Sequence, residues 1–87
     1  MSDQPQVALS LDCRGLLCPL PALETRRRLA SLARGAILEV VCTDPASQID
    51  LRALCDETGD EFLEMRAAGG LYHYRIRKVA PPAAPAG

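Results

Sequence analysis

The sequence predicts an α/β (α+β) two-layer sandwich with the order βαβαββ, in which a four-stranded mixed sheet carries two helices on one face. Four short segments show the period-two alternation or the β-branched content typical of strands. Two longer segments between them have proline near the start and glycine after the end, as helices do. Right-handed crossovers would place both helices on the same side of the sheet.

The first half of the chain predicts a strand, a helix and a second strand. Residues 7–13 alternate apolar and polar side chains, and Arg14-Gly15 ends the strand. A helix is expected from about Pro19 to about Ala33, with Gly35 as its C-terminal cap. Arg26 lies at the edge of its predicted inward stripe, which comprises Ala22, Leu29, Leu32 and Ala33, flanked by Leu23 and Ala30.

The second half predicts a helix and a hairpin after the strand at residues 36–43. Asp44-Pro45 is a helix-start signal, with Asp as the cap and Pro as the first residue, and the helix should end near Thr58, before Gly59. Residues 61–67 alternate again, with Leu63, Met65 and Ala67 on one face. Gly69-Gly70 fits a tight turn into a return strand at residues 71–78.

The domain organisation predicted from these patterns is a single domain over residues 7–79. The chain has 87 residues, enough for one modest core and too few for a deep pocket. Residues 1–6 are polar and predict a flexible N-terminus, and residues 80–87 predict a disordered Pro/Ala tail. No signal peptide and no apolar run of membrane-spanning length is visible, so a cytoplasmic location is expected.

Composition argues against nucleic acids and membranes as direct partners. The formal net charge is −1, which gives no general attraction to polyanions or to anionic membrane. Tryptophan is absent, and the only aromatic residues are one Phe and two Tyr, so a stacking platform for single-stranded RNA is not expected.

Four cysteines, Cys13, Cys18, Cys42 and Cys55, are many for a chain of this length. A disulfide framework would need a secretory context, which the sequence lacks. A structural zinc site usually has closely spaced Cys-x-x-Cys pairs, which are absent here. A structural zinc site is therefore not expected, and Cys42 and Cys55, set among apolar residues, are expected to pack in the core.

Cys18 is the cysteine with a reactive context, because it stands at the junction between the first strand and the first helix. The partial positive charge of a helix start favours a thiolate there. Pro19 and Pro21 lack N–H groups, so only Leu20 and Ala22 would donate toward a sulfur anion in the first turn. The alternative is an inert cysteine that packs at a helix start beside ordinary helix-initiating prolines.

The segment at residues 11–21, LDCRGLLCPLP, resembles the signature of the TusA/SirA family of sulfur carriers. The resemblance covers about residues 9–78; further matches are Asp44-Pro45-Ala46, Asp50-Leu51 leading to Cys55, and residues 72–78. It implies the βαβαββ sandwich and a Cys18 that accepts sulfane sulfur and passes it on, with Pro19 and Pro21 as framing residues. Cys42 and the Pro/Ala tail are not part of the family pattern.

Three further features carry weaker hypotheses. Cys13 is either a second thiol that resolves or takes over the persulfide, or a core thiol at the end of a strand, which is the favoured interpretation. Arg27 and Arg28, in a basic run on the first helix, are candidates for docking an acidic partner surface, although most such runs are simply solvated. His73 is expected to be a surface residue on an edge-like strand.

These observations lead to one main hypothesis and one alternative. In the main hypothesis a cysteine desulfurase or a rhodanese-like protein donates sulfur to Cys18, and the persulfide passes to an acceptor protein. The chain would act as a monomer, would need no metal and no organic cofactor, and would have no turnover of its own. The resemblance implies tRNA thiolation, molybdenum cofactor supply or bacterial sulfur oxidation as destinations. The alternative is a regulatory or interaction module that senses redox state or metal, with a Cys13–Cys18 disulfide or a bound ion.

Overall fold

A computed structural model describes residues 7–79 of the chain. The predicted flexible N-terminus at 1–6 and the Pro/Ala tail at 80–87 lie outside the described residues. The βαβαββ order and the pairing of a four-stranded sheet with two helices confirm the predicted fold class. The elements are β1 (Val7–Cys13), α1 (Leu20–Ala30), β2 (Ile37–Cys42), α2 (Ser47–Thr58), β3 (Glu61–Ala68) and β4 (Leu71–Arg77).

The sheet is mixed and has the strand order β1-β2-β4-β3. β1 and β2 are parallel, whereas β4 is antiparallel to both of its neighbours, β2 and β3. His73 therefore lies on a central strand, and its predicted place on an edge-like strand is wrong. The tight hairpin between β3 and β4 is as predicted, because Gly69 and Gly70 both have positive φ angles, 57° and 80°. Within residues 7–79, neither helix has the length and apolar character that a membrane crossing requires.

α1 is shorter than predicted at its C-terminal end. Its cap is Ser31, whose backbone N–H donates to the Arg28 carbonyl, while the Leu32 N–H donates to the Leu29 carbonyl. The helix does not reach Ala33. Gly35 is not the helix cap; its N–H donates to the Lys78 carbonyl over 2.7 Å. The early end follows from this pairing, because the chain must leave the helix axis to meet the end of β4.

The buried stripe of α1 differs in part from the predicted one. Leu29 is buried as expected, and Ala22 and Leu32 are half-buried, but Leu23, Ala30 and Ala33 are exposed. A single row of side chains spaced four residues apart faces the sheet, because successive turns of a helix place such residues on one face. The members of this row are Pro21, Thr25 and Leu29.

α2 begins at Ser47, two residues after the predicted start at Pro45. Asp44 still caps the segment, since its Oδ1 accepts the Ala46 N–H over 3.0 Å, while Pro45 and Ala46 form a turn ahead of the helix. The predicted end is confirmed: Gly59 adopts a left-handed φ of 88° and its N–H donates to the Cys55 carbonyl.

The alternation predicted for β3 is interrupted. The register with β4 shifts between Phe62 and Glu64, so Leu63 is the extra residue of a bulge. As a result Phe62 and Met65, predicted to lie on opposite faces, both pack against the core. Phe62 meets Tyr74 edge-on, with ring centroids 5.9 Å apart.

Buried side chains between the sheet and the helices include a few polar groups with partners. The Ser47 and Tyr74 hydroxyls, which join α2 to β4, share a hydrogen bond of 2.6 Å. Lys78 is only 3% exposed, and its Nζ donates to the Leu29 carbonyl over 2.7 Å. This ammonium satisfies a carbonyl in the last turn of α1, where a positive charge is favoured.

Candidate functional site at Cys18

The parallel pairing of β1 and β2 brings two loops together. Cys13 and Cys42, the last residues of these strands, are register partners, so the chain leaves both strands at the same edge of the sheet. The two loops are joined there by a 2.9 Å hydrogen bond from the Gly15 N–H to the Thr43 hydroxyl. Cys18 lies in the first loop and Asp44 in the second.

Cys18 is exposed and immediately precedes Pro19, the N-cap residue of α1. The Cys18–Pro19 peptide bond is cis, and the Leu20 N–H donates to the Leu17 carbonyl over 2.8 Å across this turn. The Leu20 N–H, which the sequence suggested as a donor to the sulfur, is therefore engaged with the backbone. Pro21 is buried in the first turn of the helix and anchors it against the core.

Asp44 fixes the backbone of Cys18 to the start of α2. Its Oδ2 accepts the Cys18 N–H over 2.8 Å, while its Oδ1 accepts the Ala46 N–H. These two hydrogen bonds, that from Cys18 first, hold the pKa of the Asp44 carboxyl below its ordinary value. Asp44 thus fixes the orientation of the backbone at Cys18, just before α1 begins.

The electrostatic environment of the Cys18 sulfur is the reverse of the one expected from the helix start. The pKa of the thiol is raised, first by a hydrogen-bonding interaction with the Asp50 carboxylate, then by partial removal from water and by the charges of Asp50 and Asp44. Two nearby carboxylates outweigh the partial charge of one helix terminus. The carboxylates thus disfavour the Cys18 thiolate, which is opposite to the effect predicted from the helix start.

The other three cysteines are buried and free. Cys13 has no exposed surface and interacts with Cys42; burial is the main cause that raises the pKa of Cys13 to about 12. Burial likewise raises the pKa of Cys42, and that of Cys55 to about 11. Since all four cysteines fall within the described part of the chain, Cys18 is the one thiol presented at the surface.

The exposed side chains of α1 and of the loop before it include both apolar and charged groups. Arg27 and Arg28 are exposed on α1, and Arg27 is 3.4 Å from Glu24. Arg26 forms an ion pair with Glu57 of α2 and so links the two helices. Sequence reasoning missed three exposed leucines at three-residue intervals that bracket Cys18: Leu17, Leu20 and Leu23.

Asp50 is the other residue that sequence reasoning missed as a part of the site. In the sequence it stands out only as part of the Asp50-Leu51 match to the family. In residues 7–79, no three side chains of His, Cys, Asp or Glu converge as a metal site. The site thus consists of the exposed Cys18 sulfur, Asp44, which binds the Cys18 backbone N–H, and the carboxylate of Asp50.

A family model described as sulfurtransferase TusA matches residues 9–78. The chain belongs to the TusA family. A sulfur carrier protein TusA from Allochromatium vinosum is 41% identical over 68 residues, which are 78% of this chain and 90% of that one. A Pseudomonas putida protein of the same name is 39% identical over 70 residues, 80% of this chain and 88% of its own.

A solved structure supports the same fold. A SirA-like protein from Desulfitobacterium hafniense superposes with a TM-score of 0.68 at 23% identity, over 82% of this chain and 97% of that chain. The resemblance to the TusA/SirA family drawn from residues 11–21 is thereby confirmed. Within this TusA-family chain, the family's Cys-Pro-x-Pro element is the segment that carries the exposed thiol.

Proposed function

We propose that this chain is a sulfur carrier that accepts one sulfane sulfur atom as a persulfide on Cys18 and passes it to an acceptor protein. The observation that carries this proposal is the exposure of Cys18 alone among the four cysteines, at a backbone position anchored by Asp44. The names of its TusA relatives, which are sulfur carrier proteins, support the same role.

The proposed transfer is a thiol–persulfide exchange. The Cys18 thiol loses its proton, and its Sγ attacks the outer sulfur of a cysteine persulfide on the donor. The new Sγ–S bond forms as the bond between the outer sulfur and the donor Sγ breaks, and the donor leaves as a thiolate that takes up a proton. One sulfane sulfur changes place with no net oxidation, so no cofactor is required. Release to an acceptor thiol is the same step with the roles exchanged.

Such an exchange requires direct contact between two proteins, because the reacting sulfurs must come within bonding distance. Leu17, Leu20 and Leu23 give the surface around Cys18 an apolar character suited to that contact. Arg27 and Arg28 stay proposals for a second, charged part of the docking surface. Donors of the cysteine desulfurase or rhodanese-like kind fit this chemistry. The cytoplasmic location of the chain and the destinations of the sulfur stay predictions.

The alternative function, a redox or metal sensor, is less well supported. A Cys13–Cys18 disulfide would require Cys13, which has no exposed surface and faces Cys42, to leave the core. Breaking the packing of a buried strand end would cost stability in every oxidation cycle.

Intact-protein mass spectrometry after treatment with inorganic polysulfide tests the proposed function. The native chain and Cys13→Ser should each gain one sulfur atom that dithiothreitol removes, and Cys18→Ser should gain none. Transfer of that sulfur to a second thiol protein would complete the demonstration. Absence of a sulfur gain on the native chain, with a Cys13–Cys18 disulfide instead, would overturn the carrier and support the sensor.

A further inference from the structure

Two carboxylates flank the proposed carrier sulfur. Asp44 binds the Cys18 N–H through Oδ2 at 2.8 Å, and Asp50 lines the groove between the helices together with Pro19, the residue after Cys18. Both carboxylates raise the pKa of the Cys18 thiol, Asp50 more than Asp44. One oxygen of Asp50, Oδ2, is buried and has no hydrogen-bond partner among residues 7–79. A buried carboxylate oxygen without a donor is costly unless a donor or a cation reaches it at some stage of function.

Two basic side chains of the elements around this pair, Arg26 and Arg14, are engaged elsewhere. Arg26 lines the same groove between the helices as Pro19 and Asp50, but its guanidinium is bound to Glu57. Arg14, in the loop that carries Cys18, is held at 2.9 Å by Asp12. In the described part of the chain neither Asp44 nor Asp50 has an ion-pair partner. The local charge at the sulfur is therefore negative.

We propose that Asp50, supported by Asp44, makes Cys18 selective for partners that bring a positively charged side chain next to their own reactive sulfur. Asp50 is thus a specificity-determining and positioning residue. The inference rests on the proposed function, since it concerns which proteins exchange sulfur with Cys18.

The physical basis is that both anionic forms of Cys18, the thiolate that attacks and the persulfide that is carried, are disfavoured beside two carboxylates. A lysine or arginine of a docked partner would offset the negative charge of Asp50 and stabilise either sulfur anion at the moment of transfer. Without that cation, anionic small molecules such as polysulfide or glutathione disulfide still react with Cys18, but more slowly than cationic ones do. Sulfur exchange is thereby coupled to docking.

Thiol–disulfide exchange with two small probes of opposite charge tests this selectivity. Cystamine carries two ammonium groups and bis(2-sulfonatoethyl) disulfide carries two sulfonates; the rate constant of each with Cys18 is measured by mass spectrometry at low ionic strength. Asp50→Asn should lower the ratio of the cystamine rate to the disulfonate rate by roughly threefold to tenfold, as expected for one charge removed a few ångströms from the reacting sulfur. Comparing ratios between variants cancels the different leaving-group chemistry of the probes.

Asp56→Asn is the matched control, because Asp56 is an exposed acid of the same helix that lines a different groove, beside Ile49 and Phe62. It changes the net charge equally and should leave the ratio within about a factor of 1.5 of native. An unchanged ratio in folded Asp50→Asn, or an equal fall in Asp56→Asn, would overturn the proposal.

If circular dichroism shows that Asp50→Asn is unfolded, the native chain supplies the test. Its rate ratio should fall severalfold as ionic strength rises from about 10 mM to about 500 mM, because salt screens the carboxylates; a ratio independent of salt would overturn the proposal. Failure of the proposed function is distinguishable. It would appear as no stable persulfide on Cys18, whereas the probes report on the thiol and do not require sulfur loading.

Discussion

At the residue scale, Cys18 shows how local sequence locates a reactive group without fixing its electrostatics. The junction of strand and helix and the two prolines were enough to single it out. The carboxylates that raise its pKa come from Asp44 and Asp50, far along the chain, and only the parallel pairing of β1 and β2 brings them near. A helix-start argument made from Cys18 and its neighbours therefore had the sign of the pKa shift wrong.

The first prediction concerns the ionisation of Cys18. The rate of alkylation by iodoacetamide follows the thiolate, so it should rise with a midpoint above the ordinary pKa of a cysteine thiol. Asp50→Asn should move this midpoint to lower pH, since the carboxylate that disfavours the thiolate is gone. Cys18→Ser is the control and should show no alkylation while folded, because Cys13, Cys42 and Cys55 are buried. A native midpoint below the ordinary value would contradict the assignment.

The second prediction concerns Lys78, whose buried Nζ binds the Leu29 carbonyl. Lys78→Met keeps most of the apolar stem but leaves that carbonyl without its donor, and should lower the free energy of unfolding by about 1–3 kcal/mol. Urea denaturation measures the change. Arg28→Met is the matched control, because Arg28 is an exposed basic residue in the last turn of α1, next to Leu29. It should alter the free energy of unfolding by less than about 0.5 kcal/mol. Equal effects of both changes would mean that the Lys78 hydrogen bond contributes little.

At the element scale, the spacing of apolar residues predicted the number, type and order of helices and strands. It did not predict which side chains face the core where strand pairing or helix packing departs from the regular repeat. The bulge at Leu63 turns Phe62 and Met65 to one face, and nothing in residues 61–67 announces the extra residue. The stripe of α1 was misplaced because Pro21 and Thr25, neither a typical core residue, fill it. Glycine correctly predicted the hairpin turn at Gly69-Gly70 and the end of α2 at Gly59. The predicted helix cap at Gly35 was wrong.

The third prediction concerns the attachment of α2 to the sheet. Tyr74→Phe leaves the buried Ser47 hydroxyl without its 2.6 Å partner and should lower the free energy of unfolding by about 1–3 kcal/mol. Ser47→Ala in the same chain should recover part of that loss, because no buried hydroxyl then lacks a partner. Tyr72→Phe, on the same strand and half-buried, is the control and should cost less. If the double variant were as unstable as the sum of the single ones, the hydrogen bond would not be the cause.

At the scale of the whole molecule, the ionisable groups define a pH window of stability. Asp12, whose pKa Arg14 lowers to about 2, and Asp44 are ionised more readily when folded, so their contribution is present above the unfolded pKa and is lost as pH falls below about 4. Cys13 and Cys55 have pKa values raised to about 12 and about 11, so the stability that they contribute is lost as pH rises. The maximum should lie between these limits.

The fourth prediction is a loss of stability in alkali that depends on the buried thiols. From about pH 9 to about pH 11 the free energy of unfolding should fall by up to about 1.4 kcal/mol per pH unit for each thiol that ionises only on unfolding. Cys55→Ala should reduce this slope, although it lowers stability at neutral pH. Urea denaturation at several pH values under reducing conditions measures both. Identical slopes for the native chain and Cys55→Ala would refute the assignment.

The bidentate role of Asp44 has a consequence for protein engineering. One carboxylate holds both the Cys18 N–H and the turn before α2, so the Cys-Pro-x-Pro segment does not keep its geometry when it is moved to another protein alone. If residues 11–21 alone are moved to a new scaffold, the backbone orientation at the cysteine should no longer be fixed. If residues 43–50 are moved together with residues 11–21, on two adjacent parallel strands, the hydrogen bond from the Cys18 N–H to Asp44 would be transferred as well as the thiol.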